Sequence, residues 1–166
     1  MTLAVETMVR MGEIAASRTA GDVLVAIGLG SCMGLAVVDR AASVAGLAHG
    51  MLPDSSGGNG DASLKFADNA VPALRERVVE LGASPSRLEA VLVGGAQMFA
   101  LTGGLLDIGA RNEAATIDEL AKLRIPVTAK ATAGNKGRTI RVFIEQCRIV
   151  FKEAGGAEVP LLGAAA

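Results

Sequence analysis

Two short apolar runs flank a glycine-rich segment in the stretch VLVAIGLGSCMGLAVV, residues 23–38. The runs Val23 to Ile27 and Leu35 to Val38 are rich in Val, Ala and Leu, and Val44 to Ala48 repeats the pattern. Short apolar runs bounded by Gly, Asp or Ser are typical of β-strands that are buried on both faces. We therefore predict three strands here, the first two joined by a glycine-rich loop.

The spacing of the apolar residues changes further along the chain. Apolar side chains recur at helical spacing between Ala67 and Leu81, which predicts a first helix. A second helix is expected to begin at Asn112, because asparagine is a favourable N-cap, and to stop at Ile125-Pro126.

The order of these segments predicts one α/β domain over residues 1–166. Further strands are expected at Leu88 to Val93, Val127 to Thr132, Thr139 to Ile144 and Arg148 to Lys152, and the last two resemble a hairpin. The fold class is thus a layered α/β domain with a mixed, strand-rich sheet and two main helices. Residues from about 155 to 166 are expected to form a loosely structured tail.

Composition excludes several classes of function. The formal net charge of −1 provides no basic surface for nucleic acid or an anionic membrane. No apolar run reaches the roughly 18 residues that span a bilayer, and the first residues lack the pattern of a secretory signal. The two cysteines are too few for a disulfide framework, so we expect a cytoplasmic protein.

One cysteine and one histidine form the minimum equipment for thiolate catalysis. Cys32 lies in the glycine-rich segment, and His49 is the single histidine of the chain. An imidazole can take the proton of a thiol, and the thiolate can then attack a carbonyl carbon. The alternative is that Cys32 is a small buried apolar residue and His49 a hydrogen-bonded structural one. Spacing alone leaves both interpretations open.

Nothing in the sequence predicts a metal or a cofactor. The segment Gly28 to Gly34 lacks the Lys-Ser/Thr ending of a P-loop. One histidine and two distant cysteines do not supply the three or four ligands of a zinc site. Cys147, in Glu145-Gln146-Cys147-Arg148, is interpreted as an incidental residue of a hairpin turn.

Several blocks of this sequence, in their order, resemble the CheD family of chemoreceptor glutamine deamidases. They are Met11-Gly12-Glu13, Gly28-Leu29-Gly30-Ser31-Cys32, Ala48-His49-Gly50-Met51-Leu52-Pro53-Asp54, Lys65-Phe66-Ala67-Asp68, Gly94-Gly95-Ala96-Gln97-Met98-Phe99, Ile108-Gly109-Ala110-Arg111-Asn112 and Gly134-Asn135-Lys136-Gly137-Arg138-Thr139. One glycine-rich block would be weak evidence, whereas this many in sequence are specific.

The resemblance implies an activity, a fold and partners. Family members hydrolyse the side-chain amides of selected glutamines on the cytoplasmic helices of chemoreceptors, and many bind a CheC-type phosphatase. The family fold is a layered α/β domain similar to the catalytic domain of the cytotoxic necrotizing toxins. We accordingly expect a cytoplasmic, monomeric deamidase that inserts into no membrane, binds no nucleic acid and needs no cofactor.

The resemblance also assigns the catalytic pair and exposes one departure from the family pattern. Cys32 would be the nucleophile and His49 the proton carrier. In the family, a threonine six positions before the cysteine helps to orient the histidine, and this chain has Ala26 there. Orientation of the imidazole must then come from a backbone carbonyl, a water or another side chain.

Other candidate site residues have ordinary structural alternatives. The loop that includes Gly30 and Ser31 is expected to supply backbone N–H groups for the oxyanion, although a serine in a tight turn usually bonds its own backbone. Gln97, Asn135 and Arg138 are candidates for a substrate groove. Equally, Asn-Lys-Gly is a common turn tripeptide, and a cation at the start of a strand is commonly exposed.

Two other functions compete with deamidation of receptors. Ala26 favours a binding module that docks a CheC-type phosphatase or receptor helices with weak or no catalysis, whereas the intact Cys32 and His49 pair favours an enzyme. A different amide or ester hydrolase is also open, because a thiolate and an imidazole do not by themselves select glutamine.

Overall fold

The computed structural model describes residues 5–50, 53, 63–98 and 107–163. Within these ranges the helices are α1 (Ala67–Glu80) and α2 (Ile108–Lys122). The strands are β1 (Glu6–Met8), β2 (Ile14–Ser17), β3 (Val23–Leu29), β4 (Met33–Asp39), β5 (Val44–Gly50), β6 (Glu89–Gly94), β7 (Val127–Thr132), β8 (Arg138–Phe143), β9 (Arg148–Glu153) and β10 (Glu158–Leu162).

The strands form two mixed sheets of five strands each. The first sheet has the order β1-β3-β8-β9-β10 and the second the order β2-β5-β4-β6-β7. Each sheet contains one parallel pair at an edge, β1 with β3 and β6 with β7, and its other pairs are antiparallel. The chain crosses from the first sheet to the second between β3 and β4, at the glycine-rich loop.

Side chains along β4 alternate between two cores, because successive residues of a strand point to opposite faces of its sheet. Ala36 and Val38 belong to a core between the two sheets. Leu35 and Val37 belong to a second core between the second sheet and the helices. The molecule is therefore built in three layers, with helices on one face of the second sheet and the first sheet on its other face.

A buried carboxylate fixes the end of β4. Asp39 is fully buried and accepts hydrogen bonds from Arg87 Nε at 3.1 Å and from the backbone N–H groups of Ser84 at 2.8 Å and Ala42 at 3.2 Å. Burial alone would raise the pKa of this carboxyl, but the bonds and the charge of Arg87 together lower it below its usual value. These bonds join the turn after β4 to the segment before β6.

The predicted fold class is confirmed as a strand-rich α/β fold with mixed sheets and two helices. The predicted strands all form, and β8 and β9 pair as the expected antiparallel hairpin. The strands are nevertheless divided between two sheets, which hydrophobic runs do not reveal because they carry no information about pairing. No helix in the described part of the chain is both long and apolar enough to cross a bilayer.

Two local predictions need correction, and two short strands were missed. The second helix begins four residues before Asn112, because Asp107 is the N-cap and accepts a hydrogen bond from the N–H of Ala110 at 2.9 Å. The predicted tail is wrong over Glu158–Leu162, which pairs with β9 as an edge strand. Pro160 lies in that strand and obscures it in the sequence, since proline is tolerated only at sheet edges. The short strands β1 and β2 were not predicted.

Candidate active site

Strand pairing places Cys32 and His49 on one face of the second sheet. β4 and β5 are antiparallel neighbours, in which Gly34 pairs with His49 and Met33 pairs with Gly50. Because side chains alternate along a strand, Cys32 and Gly34 share a face, and His49 shares it with them. Residues diagonal to each other across an antiparallel pair are within reach of long side chains. The sheet thus directs the side chains of both predicted catalytic residues to the same face.

That shared face is the one between the two sheets. Cys32 belongs to the inter-sheet core, as do Ala45 and Leu47, which precede His49 on the same face of β5. Cys32 is 7% exposed and His49 is 5% exposed. The pair therefore lies at the end of the inter-sheet core and is largely withdrawn from water.

A backbone carbonyl orients the imidazole of His49. Its Nδ1 lies 3.1 Å from the carbonyl oxygen of Val9. A carbonyl can only accept, so Nδ1 carries the hydrogen and donates it. Nε2 is then the unprotonated nitrogen of the neutral ring, and it is buried with no hydrogen-bond partner in the described part of the chain. The arrangement leaves Nε2 available to take a proton.

Main-chain bonds hold Val9 and the segment after it against β3 and β5. The N–H of Val9 donates to the carbonyl of Val25 at 2.7 Å. The N–H of Gly12 donates to the carbonyl of His49 at 2.8 Å, and the N–H of His49 donates to the carbonyl of Glu13 at 3.1 Å. The orienting carbonyl is consequently fixed by β3 and by β5, the strand that carries His49.

Burial keeps both members of the pair neutral at rest. It raises the pKa of the Cys32 thiol above its ordinary value, and a hydrogen bond from the backbone N–H of Cys32 itself offsets only part of this effect. Burial also lowers the pKa of His49, partly offset by the bond to Val9 and by the charge of Glu13. At neutral pH both shifts favour an uncharged thiol and an uncharged imidazole rather than a preformed ion pair.

The three carbonyls of the loop before β4 each accept a hydrogen bond from the body of the protein. Ala96 N–H donates to Gly30 at 2.8 Å, Asn112 Nδ2 donates to Ser31 at 2.8 Å, and Gly95 N–H donates to Cys32 at 2.9 Å. In a trans peptide the N–H points opposite to the carbonyl. The N–H groups of Ser31 and Cys32 therefore face away from these donors.

Close packing behind this loop requires a glycine at position 94. Gly94 has a φ of +118°, and a Cβ there would overlap the carbonyl oxygen of Cys32. The hydrogen bonds of Gly95 and Ala96 to the loop follow directly. The backbone at the end of β6 thus packs directly against the cysteine loop, so closely that no side chain fits between them.

The predicted groove residues gather around this support. Gln97 is exposed, and its N–H donates to the carbonyl of Gly134 at 2.8 Å, which brings it beside the exposed Asn135. Arg138 is only 7% exposed, and its guanidinium donates to the carbonyl of Ala133 at 2.7 Å and pairs with Glu153. Gln97 and Asn135 can meet a substrate, whereas Arg138 is engaged within the protein.

Ala26, at the position where the family has a threonine, lies in the core between the two sheets. Ala26 is fully buried on β3 and pairs with Ile140 of β8. It is one of the side chains of the inter-sheet core, to which Cys32 also belongs. Ala26 offers no hydrogen bond, and the carbonyl of Val9 occupies the orienting role beside His49.

The second cysteine lies away from the first. Cys147 is fully buried, and its Sγ donates weakly to the carbonyls of Val44 at 3.6 Å and Asp39 at 3.8 Å. Those residues are at the opposite end of the β4–β5 pair from Cys32. Burial raises the pKa of the Cys147 thiol to about 11. Among the described residues, no three His, Cys, Asp or Glu side chains gather as metal ligands do.

Two contacts of the site had no clear signal in the sequence. Val9 acts through its backbone, so its side chain carries no indication of the role. Asn112 stands in a block shared with the CheD family, but an asparagine before a glutamate is also typical of a helix start. Its long-range bond to Ser31 depends on the tertiary fold.

Comparison with known proteins identifies the family of this chain. A family model described as CheD chemotactic sensory transduction matches residues 51–153. A protein of Caldanaerobacter subterraneus subsp. tengcongensis, named probable chemoreceptor glutamine deamidase CheD, is 43% identical over 150 residues, covering 89% of this chain and 92% of that protein. A Thermotoga maritima protein named chemoreceptor glutamine deamidase CheD is 40% identical over 151 residues, covering 91% of this chain and 94% of that protein.

A third relative, from Symbiobacterium thermophilum and named probable chemoreceptor glutamine deamidase CheD, is 42% identical over 154 residues, covering 90% of this chain and 93% of that protein. The family model begins after Cys32 and His49, but alignments of this length necessarily span both residues. Because the family model matches more than half of the chain and the relatives align over nearly their whole lengths, the chain belongs to the CheD family of chemotactic sensory transduction proteins.

Proposed function

We propose that this chain is a chemoreceptor glutamine deamidase that uses Cys32 as its nucleophile and His49 as its proton carrier. The observation that carries the proposal is the hydrogen bond from His49 Nδ1 to the Val9 carbonyl, which leaves Nε2 buried on the face shared with Cys32 and without a partner among the described residues. A nucleophile beside a base that a third group orients is the general arrangement of covalent amide hydrolysis.

The first half-reaction would form a thioester. His49 Nε2 takes the proton of the Cys32 thiol as the sulfur attacks the carboxamide carbon of the glutamine. The imidazolium then protonates the amide nitrogen, because an amide leaves poorly until it is protonated. The carbon–nitrogen bond breaks, ammonia departs, and the acyl group stays on the sulfur.

The second half-reaction would regenerate the enzyme. His49, neutral again, takes a proton from a water molecule that attacks the thioester carbon. The carbon–sulfur bond breaks, the sulfur recovers its proton from the imidazolium, and the product is a glutamate side chain. The sum is glutamine plus water giving glutamate plus ammonia, and the neutral resting pair fits a cycle that begins and ends with the thiol.

The loop of Gly30 and Ser31 would stabilise the oxyanion. Its carbonyls are held by the segment after β6 and by α2, so the N–H groups of Ser31 and Cys32 are directed away from those supports. The N–H of Cys32 is near the sulfur of the same residue, since only Cα and Cβ separate the two atoms, and it lowers the pKa of the thiol. Backbone donors fixed before the reaction stabilise a tetrahedral oxyanion without reorganisation.

Substrate would reach the site over the surface formed by Gln97 and Asn135. Both side chains are exposed, and the backbone bond between Gln97 and Gly134 holds the two segments together. Arg138 would support this surface from within, through its bond to the Ala133 carbonyl. The substrate proposed is the cytoplasmic helical region of a chemoreceptor. The relatives' names, chemoreceptor glutamine deamidase, support a chemoreceptor as the substrate. This single-domain chain would act on it in the cytoplasm as a monomer.

Ala26 supports the second candidate function, a binding module that docks a CheC-type phosphatase or receptor helices with little chemistry. The Val9 carbonyl weakens that case, because it supplies the hydrogen bond that Ala26 lacks. Only a deamidase would change the mass of its partner, because it converts a glutamine to a glutamate, whereas a binding module leaves the partner chemically unchanged.

Mass spectrometry of a receptor cytoplasmic fragment tests the proposal. Incubation with the protein is expected to convert specific glutamines to glutamates, and Cys32→Ala and His49→Ala are expected to abolish or greatly slow the conversion. Cys147→Ala is the matched control, because it removes the other buried cysteine at the far end of the same strand pair. Conversion that is equal for the unaltered protein and Cys32→Ala would leave only the binding role.

A further inference from the structure

A buried asparagine from α2 holds the loop that carries Cys32. Asn112 is 3% exposed, and its Nδ2 donates to the carbonyl of Ser31 at 2.8 Å. The identity of the amide atoms follows from this contact, since a carbonyl accepts hydrogen bonds and only the NH₂ group can donate one. Of the three carbonyls held in this loop, the one of Ser31 alone is held by a side chain.

The bond fixes the orientation of one peptide plane. Ser31 C=O and Cys32 N–H belong to the same trans peptide and point in opposite directions. With the carbonyl directed at α2, the N–H of Cys32 is directed away from α2. Only Cα and Cβ separate this nitrogen from Sγ of the same residue, so the N–H lies near Sγ, where it lowers the pKa of the thiol against the larger effect of burial. Rotation of this plane would exchange the N–H for a carbonyl at the place where negative charge develops.

Within the described part of the chain, the other half of the Asn112 amide has no partner. Oδ1 is buried and accepts no hydrogen bond within the described residues. Asn112 and Thr116 both line a cavity of about 20 Å³ between α2 and the second sheet, whose other walls are mostly apolar. A residue selected only for packing would be apolar here, because an unsatisfied buried polar atom costs free energy. The free-energy cost of the unsatisfied Oδ1 is consistent with a role for the bond that Nδ2 donates to the Ser31 carbonyl.

We propose that Asn112 is a positioning residue: by holding the Ser31 carbonyl, it keeps the Cys32 N–H facing the space beside Sγ, where the tetrahedral oxyanion forms. This inference rests on the proposed function, since it assigns a role within the same reaction. Asn112 touches no substrate atom in this account and acts through the Cys32 peptide alone.

Two reagents that consume the same thiolate separate this role from a merely structural one. p-Nitrophenyl acetate acylates sulfur through a tetrahedral oxyanion, whereas iodoacetamide alkylates it by displacement and forms none. Loss of one oxyanion donor costs roughly 100- to 1,000-fold in rate. For Asn112→Leu and Asn112→Ala, we expect acylation of Cys32 to slow by about that factor while alkylation changes by less than about threefold. The ratio of the two rates cancels any change in thiol pKa.

Thr116→Val is the matched control. Thr116 is buried one turn further along α2, lines the same cavity, and donates to the backbone carbonyl of Asn112 at 2.8 Å without touching the cysteine loop. Its ratio of acylation to alkylation should equal that of the unaltered protein. Circular dichroism and thermal unfolding verify that each variant is folded, and peptide mapping assigns the label to Cys32.

The outcomes distinguish the role of Asn112 from the proposed function. Equal slowing of both reagents by the Asn112 variants would mean that the whole site has become disordered, and unchanged rates would mean that the Ser31 carbonyl needs no side-chain donor; either result overturns the inference. A shift of the ratio in Thr116→Val as large as in Asn112→Leu would do the same. Acylation that persists in Cys32→Ala would instead refute the proposed function.

Discussion

The close approach of the β6 backbone to the Cys32 loop makes Gly94→Ala a severe change. Gly94 has a φ of +118°, a region that L-residues with a Cβ rarely adopt. The new Cβ would lie less than 3.0 Å from the carbonyl oxygen of Cys32, a separation at which one of the two backbones has to move. The movement would displace the cysteine loop itself.

Two terms determine the expected loss of stability. Forcing alanine into a left-handed conformation costs about 1–2 kcal/mol. Overpacking against a backbone atom adds about 1–3 kcal/mol, since the Cys32 carbonyl cannot rotate aside as a side chain can. The free energy of unfolding should therefore fall by about 2–5 kcal/mol, which lowers the melting temperature by roughly 5–15 °C for a chain of this size. A displacement on the order of 1 Å at a reacting group costs about 100-fold in rate.

The variant Gly155→Ala measures the conformational cost without the overpacking cost. Gly155 has a φ of +79° and no atom within 4 Å of the position that a Cβ would occupy. It should show the conformational cost alone, with an unchanged rate at Cys32. Urea unfolding gives the free energies, and acylation of Cys32 gives the rates. If Gly94→Ala loses no more stability than Gly155→Ala and keeps its rate, the proposed support of the loop by β6 is wrong.

Three further predictions concern His49, Asp39 and Ala26. The imidazole resonance of His49, the single histidine, should titrate below pH 6.5 because burial lowers its pKa. The folded protein then binds fewer protons than the unfolded one, so the free energy of unfolding falls as the pH drops below about 6.5. The variant His49→Gln should flatten that decline. Asp39→Asn should lower the free energy of unfolding by about 2–3 kcal/mol in urea titrations through weakened bonds to Arg87, with Cys32 alkylation unchanged. Ala26→Thr should destabilise by about 1–3 kcal/mol, because its hydroxyl enters an apolar core; a tenfold faster deamidation would show that the Val9 carbonyl is not a sufficient partner for His49.

The strands that position the site were predictable because their composition is distinctive. Apolar runs on both sides of the glycine-rich loop identify β3 and β4, and the third run identifies β5. Once β4 and β5 pair, strand alternation alone places Cys32 and His49 on one face. The candidate pair could therefore be predicted from the local sequence pattern and from the resemblance of short blocks to a known family.

The contacts around the pair were not predictable, for physical reasons that differ between residues. Val9 acts through a main-chain carbonyl, which every residue possesses. Asn112 is of a residue type that favours N-caps, but Asp107, five residues earlier in the chain, fills that role. The neutral resting state of Cys32 and His49 follows from burial between two sheets, and only the tertiary structure contains that information.

Capture of the acylated cysteine tests the central claim most directly. A receptor cytoplasmic fragment is mixed with the protein, the reaction is stopped with acid during turnover, and the peptides are mapped by mass spectrometry. We expect a thioester between Cys32 and a receptor glutamine that has lost ammonia, which is absent in Cys32→Ala and present in Cys147→Ala. Conversion of glutamine to glutamate that continues in Cys32→Ala would contradict the assignment of Cys32 as the nucleophile.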